Sequence, residues 1–263
     1  MKLKMKTSLP GTIIGAALTA AGIIGAILFQ GAAIEESATN SARFRYVLFL
    51  LAALIGFVIL AVNVCRLIHP QPEKKTDVRM LTLASLFAAL CYVGFTFLKF
   101  DIPAGTEKTA FHLGNVFCVL GALLLGGFWG GMAGAVGMTI ADLTTAYVTS
   151  APKTFLLKLC IGLIVGLVAH KIFHIAEKQQ PKKLPTAVVL SCNAGMAFNV
   201  IADPLVGYFY KTYVLGIPQE AAKIWAKIGT ITTLVNAVVA VVFASVLYLA
   251  LRPALRRLSL LKR

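Results

Sequence analysis

Apolar runs of 18 or more residues recur along this chain, and each is long enough to cross a bilayer core of about 30 Å as helix. The runs are continuous, so the apolar-out, polar-in alternation of an outer-membrane barrel is absent. The sequence therefore predicts an all-α integral membrane protein. Composition points the same way. The chain is 59% hydrophobic and 13% charged, roughly half the charge of a soluble domain and too little to cover a soluble surface with polar side chains.

Eight apolar segments can be placed, at roughly 11–33, 46–67, 78–99, 112–128, 131–148, 154–174, 186–209 and 228–251. Eight crossings put both termini on one side. Alternating sides along the chain assigns 16 of the 25 basic residues to that side, among them Lys2, Lys4, Lys6, Arg66, Lys74, Lys75, Arg79, Lys171 and Arg252. The positive-inside rule makes it the cytoplasmic side of the membrane, where anionic headgroups neutralise the excess. The formal charge of +15 is thus a topology signal and not a nucleic-acid footprint. The first segment follows a basic start but exceeds the apolar core of about 7–15 residues usual in signal peptides. An uncleaved helix is expected.

The polar stretch His69–Asp77 carries Pro70, Pro72 and a charge cluster, which disfavour continued helix. The expected organisation is a two-helix appendage over 1–68, a linker over 69–76 and a six-helix module over 77–263. Two segments fall on the outer side. One is the loop Lys99–Phe111, with Pro103 and Gly105; the other is Lys211–Lys227, ending in a short amphipathic stretch near Trp225. Trp129 and Trp225 sit near expected interfaces, where indoles anchor.

Between His112 and Gly137 lie two series of glycines at fourfold spacing, Gly126–Gly130–Gly134 and Gly127–Gly131. Small residues so spaced let helices approach closely in lipid, where no hydrophobic drive acts between them. The stretch Gly127–Gly130 reads as the turn of a helix hairpin.

Polar side chains within the apolar segments carry the functional signal, because charge inside a bilayer normally faces a cavity or a partner. His112 and Asn115 fall in the outer part of the fourth segment, Asp142 and Tyr147 in that of the fifth, and Lys158 one turn into the sixth. Asn199, Asp203 and Tyr208 lie in the outer half of the seventh, and Thr232 and Asn236 in that of the eighth. Asn193 is the exception, on the inner half. This shared depth predicts a water-accessible pocket open to the exterior. Asp142 and Lys158 are expected to pair, and Asp203-Pro204 to interrupt its helix. Phe111, Tyr147 and Tyr208 could stack on a planar ring, or simply pack.

Other chemistries find little support. Cys65, Cys91, Cys118, Cys160 and Cys192 share no CxxC spacing and read as small apolar filler. His170 and His174 have ligand spacing without a third ligand, so no metal is expected. No Walker A motif, HExxH or GxSxG occurs. No catalytic residue and no cofactor are assigned, and any ATP hydrolysis would reside in another subunit.

From Asp77 onward the sequence resembles the substrate-binding S components of energy-coupling factor (ECF) vitamin transporters. Three features carry the likeness. They are Ala84-Ser85-Leu86-Phe87-Ala88; the block Leu120–Leu143 followed by Pro152, Lys158 and Gly162–Gly166; and the closing run Leu234–Leu251. The nearest flavour is the riboflavin-type branch, which the resemblance also links to thiamine-precursor pyrimidines and B6-like molecules. The resemblance implies a transmembrane T component and two cytoplasmic ATPases as partners, with docking through Ala84 and Ala88. It also implies a lid at Lys99–Phe111 and transport by tilting of the whole subunit. It implies a six-helix bundle, so the two N-terminal helices are extra. On the residues alone, two rivals stand beside this reading: an ion-coupled secondary transporter with a proton site at Asp142 or Asp203, and a membrane enzyme using Asp142 and His112.

Overall fold

The structure, a computed structural model of the chain, describes residues 2–34, 40–68, 78–104, 107–176 and 183–257. The expected linker at 69–76 and Gly105 lie outside the described residues. The chain divides into two compact units, Met1–Thr76 with Val148–Pro152, and Asp77–Tyr147 with Lys153–Arg263.

The first unit is built on an antiparallel pair, α1 (Lys2–Ile34) and α2 (Asn40–Ile68). Its seam is made of glycines. A Cβ on Gly15 would strike the Leu60 backbone, one on Gly22 the Ala53 backbone, and one on Gly56 the Thr19 backbone. Close backbone approach therefore holds these helices in contact, as small residues do in lipid. Ile13, Ile14, Ile24, Ile27 and Leu28 are exposed along α1, a face suited to hydrocarbon.

In the second unit, α3 (Val78–Thr96) leads into an antiparallel hairpin of β1 (Lys99–Ala104) and β2 (Glu107–His112). Then come α4 (Gly114–Leu125), α5 (Gly127–Thr144), α6 (Ala151–Gly166), α7 (Leu184–Phe209) and α8 (Gln219–Arg257). A π-helical turn extends α6 to Ile172, and another extends α7 to Val214. Cys118, Val119, Leu123, Met138, Ile161 and Met196 lie in the core of the bundle, while Leu86, Ile140, Leu163, Ile201 and Val246 are exposed on its outside.

Four expectations are corrected by this architecture. Lys99–Phe111 is an ordered hairpin with Lys99 opposite His112 and Phe100 opposite Phe111, rather than an irregular loop. The α4–α5 turn is Gly126 alone, whose φ of 91° suits a residue without Cβ, so Phe128, Trp129 and Gly130 already belong to α5. Helix α7 runs unbroken through Pro204. The amphipathic stretch before 228 is continuous with α8, which begins at Gln219.

The two glycine series of α5 serve different neighbours. Gly130 and Gly134 lie against Gly121, Ala122 and Cys118 of α4, and Gly127 and Gly131 against Gly162 and Gly166 of α6. A fourfold spacing repeats every 400°, so each series stays on one face of the helix. Among the described residues, six helical stretches are long and apolar enough to cross a membrane. With 12 residues, α4 is not among them. At about 1.5 Å per residue it spans about 18 Å against a core of about 30 Å. It forms a tight hairpin with α5, so counting both as crossings or neither leaves the following helices on the same side.

Candidate functional site

The polar side chains collect at one end of the second unit, where the hairpin meets α8. Asn236 joins the two with both ends of its amide. Its Nδ2 donates to the Ala110 carbonyl at 2.9 Å, and its Oδ1 accepts from the His112 backbone N–H at 3.0 Å. The side chain thus continues the β2 hydrogen-bonding edge onto a helix. Beside it, Phe95 of α3 meets the His112 ring edge-on at 4.6 Å and the Tyr147 ring at 5.5 Å. The Tyr147 hydroxyl donates to Asp101 of β1 at 2.8 Å, while Lys99 lies 3.2 Å from the same carboxylate and 4.9 Å from the Tyr147 ring centre. Partial burial opposes ionisation of Asp101, yet the Tyr147 and Lys99 bonds prevail and hold its carboxyl below the ordinary value.

Deeper in the bundle, Lys153 of α6 pairs with Asp203 of α7 at 2.7 Å, and the Thr233 hydroxyl of α8 donates to the other Asp203 oxygen at 3.0 Å. This network replaces the expected Asp142–Lys158 pair, since no ion pair joins those two residues. Asp142 lies beside Thr154 instead, and its Oδ2 has no hydrogen-bond partner. The Lys158 side chain is buried, 7% exposed, and its ammonium has no hydrogen bond or ion pair among the described residues. It lies within electrostatic reach of Asp203, Lys153 and Asp142.

Several buried acceptors in this region also lack a partner. They include His112 Nδ1, Asn115 Oδ1, Thr139 Oγ1, Asp142 Oδ2 and Asn199 Oδ1. Buried polar atoms are normally satisfied, and each exception calls for a reason such as an absent ligand or water. Here the exceptions come from β2, α4, α5 and α7.

The sequence-derived residues therefore separate. Lys158 and Asp203 lie within electrostatic reach of both His112 and Asp142, while Asn236 and Tyr147 brace the hairpin. Asn115 and Asn199 are buried near the same ends of their helices as these groups. Tyr208 lies elsewhere, in a cleft between α7 and α8. Thr232 bonds within its own helix to Ile228, and Asn193 is exposed and bonds to Val189. His170 Nε2 lies 3.2 Å from the Ala122 carbonyl, so that nitrogen carries the hydrogen and caps α4. Ala84 and Ala88 of α3 turn inward. Ala84 is 6% exposed and the Ala88 carbonyl abuts Gly137 of α5, whereas Thr82, Ser85, Leu86 and Ala89 form the outer face.

Sequence reasoning missed Lys153, Thr154 and Thr233. The available signal was helical spacing. Thr154 and Lys158 are four apart on one face of α6, and Asn199 and Asp203 are four apart on α7.

Two surface clefts flank this region. One, of about 350 Å³, lies beneath the hairpin and includes Phe97, Phe111, His112, Asn236 and Val239; the other lies between α7 and α8. Neither contains Asp142, Lys158 or Asn199. The unpartnered buried atoms mark a ligand site more strongly than either cleft, because desolvated polar groups demand partners whatever the surface shape.

Fold and polar cluster together define a multi-pass helical membrane protein with a desolvated polar site at one end of its bundle. The family model for the S component of the ECF-type riboflavin transporter matches residues 75–253. The chain belongs to that family, and so is a substrate-binding subunit of an ECF transporter rather than an enzyme. No curated protein and no solved structure gives a significant match.

Proposed function

We propose that the chain captures a small water-soluble vitamin or precursor from the exterior, in a pocket at the hairpin end of the second unit. The substrate is riboflavin, a thiamine-precursor pyrimidine or a B6-like ring. The observation that carries this reading is the set of unpartnered buried atoms on His112, Asn115, Asp142 and Asn199 beside the unpaired Lys158 ammonium. A ligand with both donors and acceptors along a planar edge would satisfy such a set. Water alone would satisfy it too, which makes identification of the bound molecule decisive. Asp203, already held by Lys153 and Thr233, would shape the pocket rather than contact solute.

The hairpin would serve as the lid. Asn236 ties its second strand to α8, and Tyr147 ties its first strand through Asp101. Its opening would then require exchanging these few bonds for water.

Release would follow tilting of the subunit against a transmembrane T component, driven by two cytoplasmic ATPases. Docking on α3 would use the outward Ser85, Leu86 and Ala89, with Ala84 and Ala88 keeping the helix close to α5. Both termini would be cytoplasmic. Continuity of α7 through Pro204 weighs against an ion-coupled carrier, whose sites typically use broken helices.

Mass spectrometry of small molecules retained through purification of the full chain tests the proposal. A stoichiometric vitamin-like heterocycle supports it. Sustained substrate accumulation in vesicles containing this chain alone, driven by an ion gradient, would overturn it.

A further inference from the structure

The cleft between α7 and α8 takes no part in the site described above. It has a volume of about 500 Å³, within the range of about 300–1,000 Å³ usual for small-molecule sites. Its lining is graded along the helices. Val200, Ile201, Pro204 and Leu205 supply apolar walls, Tyr208 and Thr230 follow, and Lys223 and Lys227 stand at the polar rim.

Helix length fixes where that gradient lies in a membrane. About 20 residues of helix span the hydrocarbon core. The stretch from Leu184 to Val214 is 31 residues long and that from Gln219 to Leu255 is 37, so the α7–α8 hairpin must project from the core. Counting about 20 residues from Leu184 on α7, and back from Arg252 on α8, puts the boundary near Leu205 and Thr232. The apolar walls then face acyl chains, and the two lysines reach headgroup level. Trp225, with Lys211 Nζ 4.3 Å above its ring, and Tyr208 mark the same level, as aromatic residues do at membrane interfaces.

Charge at the rim selects among lipids. Lys223 and Lys227 are one turn apart on α8, and Lys211 approaches from α7; Glu220, paired with Lys223 at 2.8 Å, is the opposing charge. That exposed pair is weak, since solvent screens it. A net positive rim above an apolar trough complements one anionic headgroup and one acyl chain.

We propose that this cleft is a binding site for one anionic phospholipid of the leaflet at the hairpin end. Its phosphate lies between Lys223 and Lys227, and one acyl chain lies along Ile201, Pro204 and Leu205. The site is independent of the vitamin pocket, because Asp203 faces Lys153 and Thr233 inside the bundle while Pro204 lines the cleft outside it.

Native mass spectrometry of the full chain in detergent tests this, with phosphatidylglycerol and phosphatidylcholine of identical acyl chains as probes. The expected result is one tightly retained phosphatidylglycerol, retained at least about tenfold better than phosphatidylcholine. Lys227→Gln should weaken retention about fivefold, and Lys223→Gln with Lys227→Gln about twentyfold or more. Ala226→Trp, which fills the trough while keeping both lysines, should abolish retention of that lipid. Unaltered thermal unfolding of these variants in detergent shows that the fold persists. Equal retention of both lipids, or wild-type retention in the double lysine variant or in Ala226→Trp, would overturn the proposal. So would occupation of the cleft by the vitamin or by a protein segment.

Discussion

Lys153 of α6 reaches Asp203 of α7 at 2.7 Å, and this contact ties the first turn of α6 to the second half of α7. Thr233 of α8 completes the carboxylate's shell, so three helices meet at one anion. Both partners are largely desolvated, so removal of either leaves a charge without compensation. Lys153→Met or Asp203→Asn alone should lower stability by about 3 kcal/mol, and Lys153→Met with Asp203→Leu should recover much of it. Thermal unfolding in detergent across the four proteins of the cycle provides the check. Additive losses would mean that the pair is not coupled.

Asn236 makes two hydrogen bonds to the backbone of the hairpin. Asn236→Ala should release β2 from α8 at a cost of about 1–3 kcal/mol, through the unsatisfied Ala110 carbonyl and His112 N–H. Hydrogen exchange should then rise at residues 108–112 while α4 and α5 stay protected. Unchanged exchange in the strand would show that the amide is not the clamp.

Close approach of α5 and α6 depends on Gly131 and Gly162, whose positions leave no room for a Cβ. Gly162→Val should prevent the contact and reduce the yield of folded protein severalfold, with a loss of at least about 2 kcal/mol. Gly229→Ala is the control, because nothing lies within 4 Å of a Cβ built there. Fluorescence-detected size exclusion distinguishes the two, and equal yields would contradict the packing account.

Acid should loosen the hairpin. The folded-state pKa of Asp101 is depressed, so its stabilising contribution is present above the unfolded-state value and is lost as pH falls through the folded one. The bonds from Tyr147 and Lys99 should therefore hold at neutral pH and fail only at a pH below the ordinary aspartate value of about 3.9. Asp101→Asn should remove this acid-dependent step. Exchange rates of residues 99–104 measured from pH 3 to pH 7 in wild type and variant report it, after correction for intrinsic chemistry.

Most helices were legible in the sequence because their apolar runs are long and the bilayer sets their length; α4, with 12 residues, is an exception. The hairpin was less so. Pro103 and the polar tip suggest a loop, but a two-stranded ribbon has free edges, where a residue without N–H is tolerated. Pro204 misled for a related reason. It stands inside α7, where neighbouring groups can satisfy the freed carbonyl.

Depth was legible, but facing was not. Thr232 and Thr233 differ by one residue, which is about 100° around the helix, and only Thr233 meets Asp203. The same limit hid Lys153 and favoured Lys158 as partner to an aspartate. Ala84 and Ala88 carry the spacing of a docking face, yet their side of α3 lies against α5. Spacing identifies a stripe on a helix and leaves open which neighbour covers it.

Equilibrium titration of the purified full chain, without partner subunits or an ion gradient, tests the central claim most directly. With riboflavin and the related ring compounds as probes, one of them should bind at one molecule per chain. Asp142→Asn and Asn199→Ala should each weaken that binding at least about tenfold, the loss expected from about 1.4 kcal/mol of buried hydrogen bonding. Wild-type affinity in both variants, or no binding by any probe, would contradict the account.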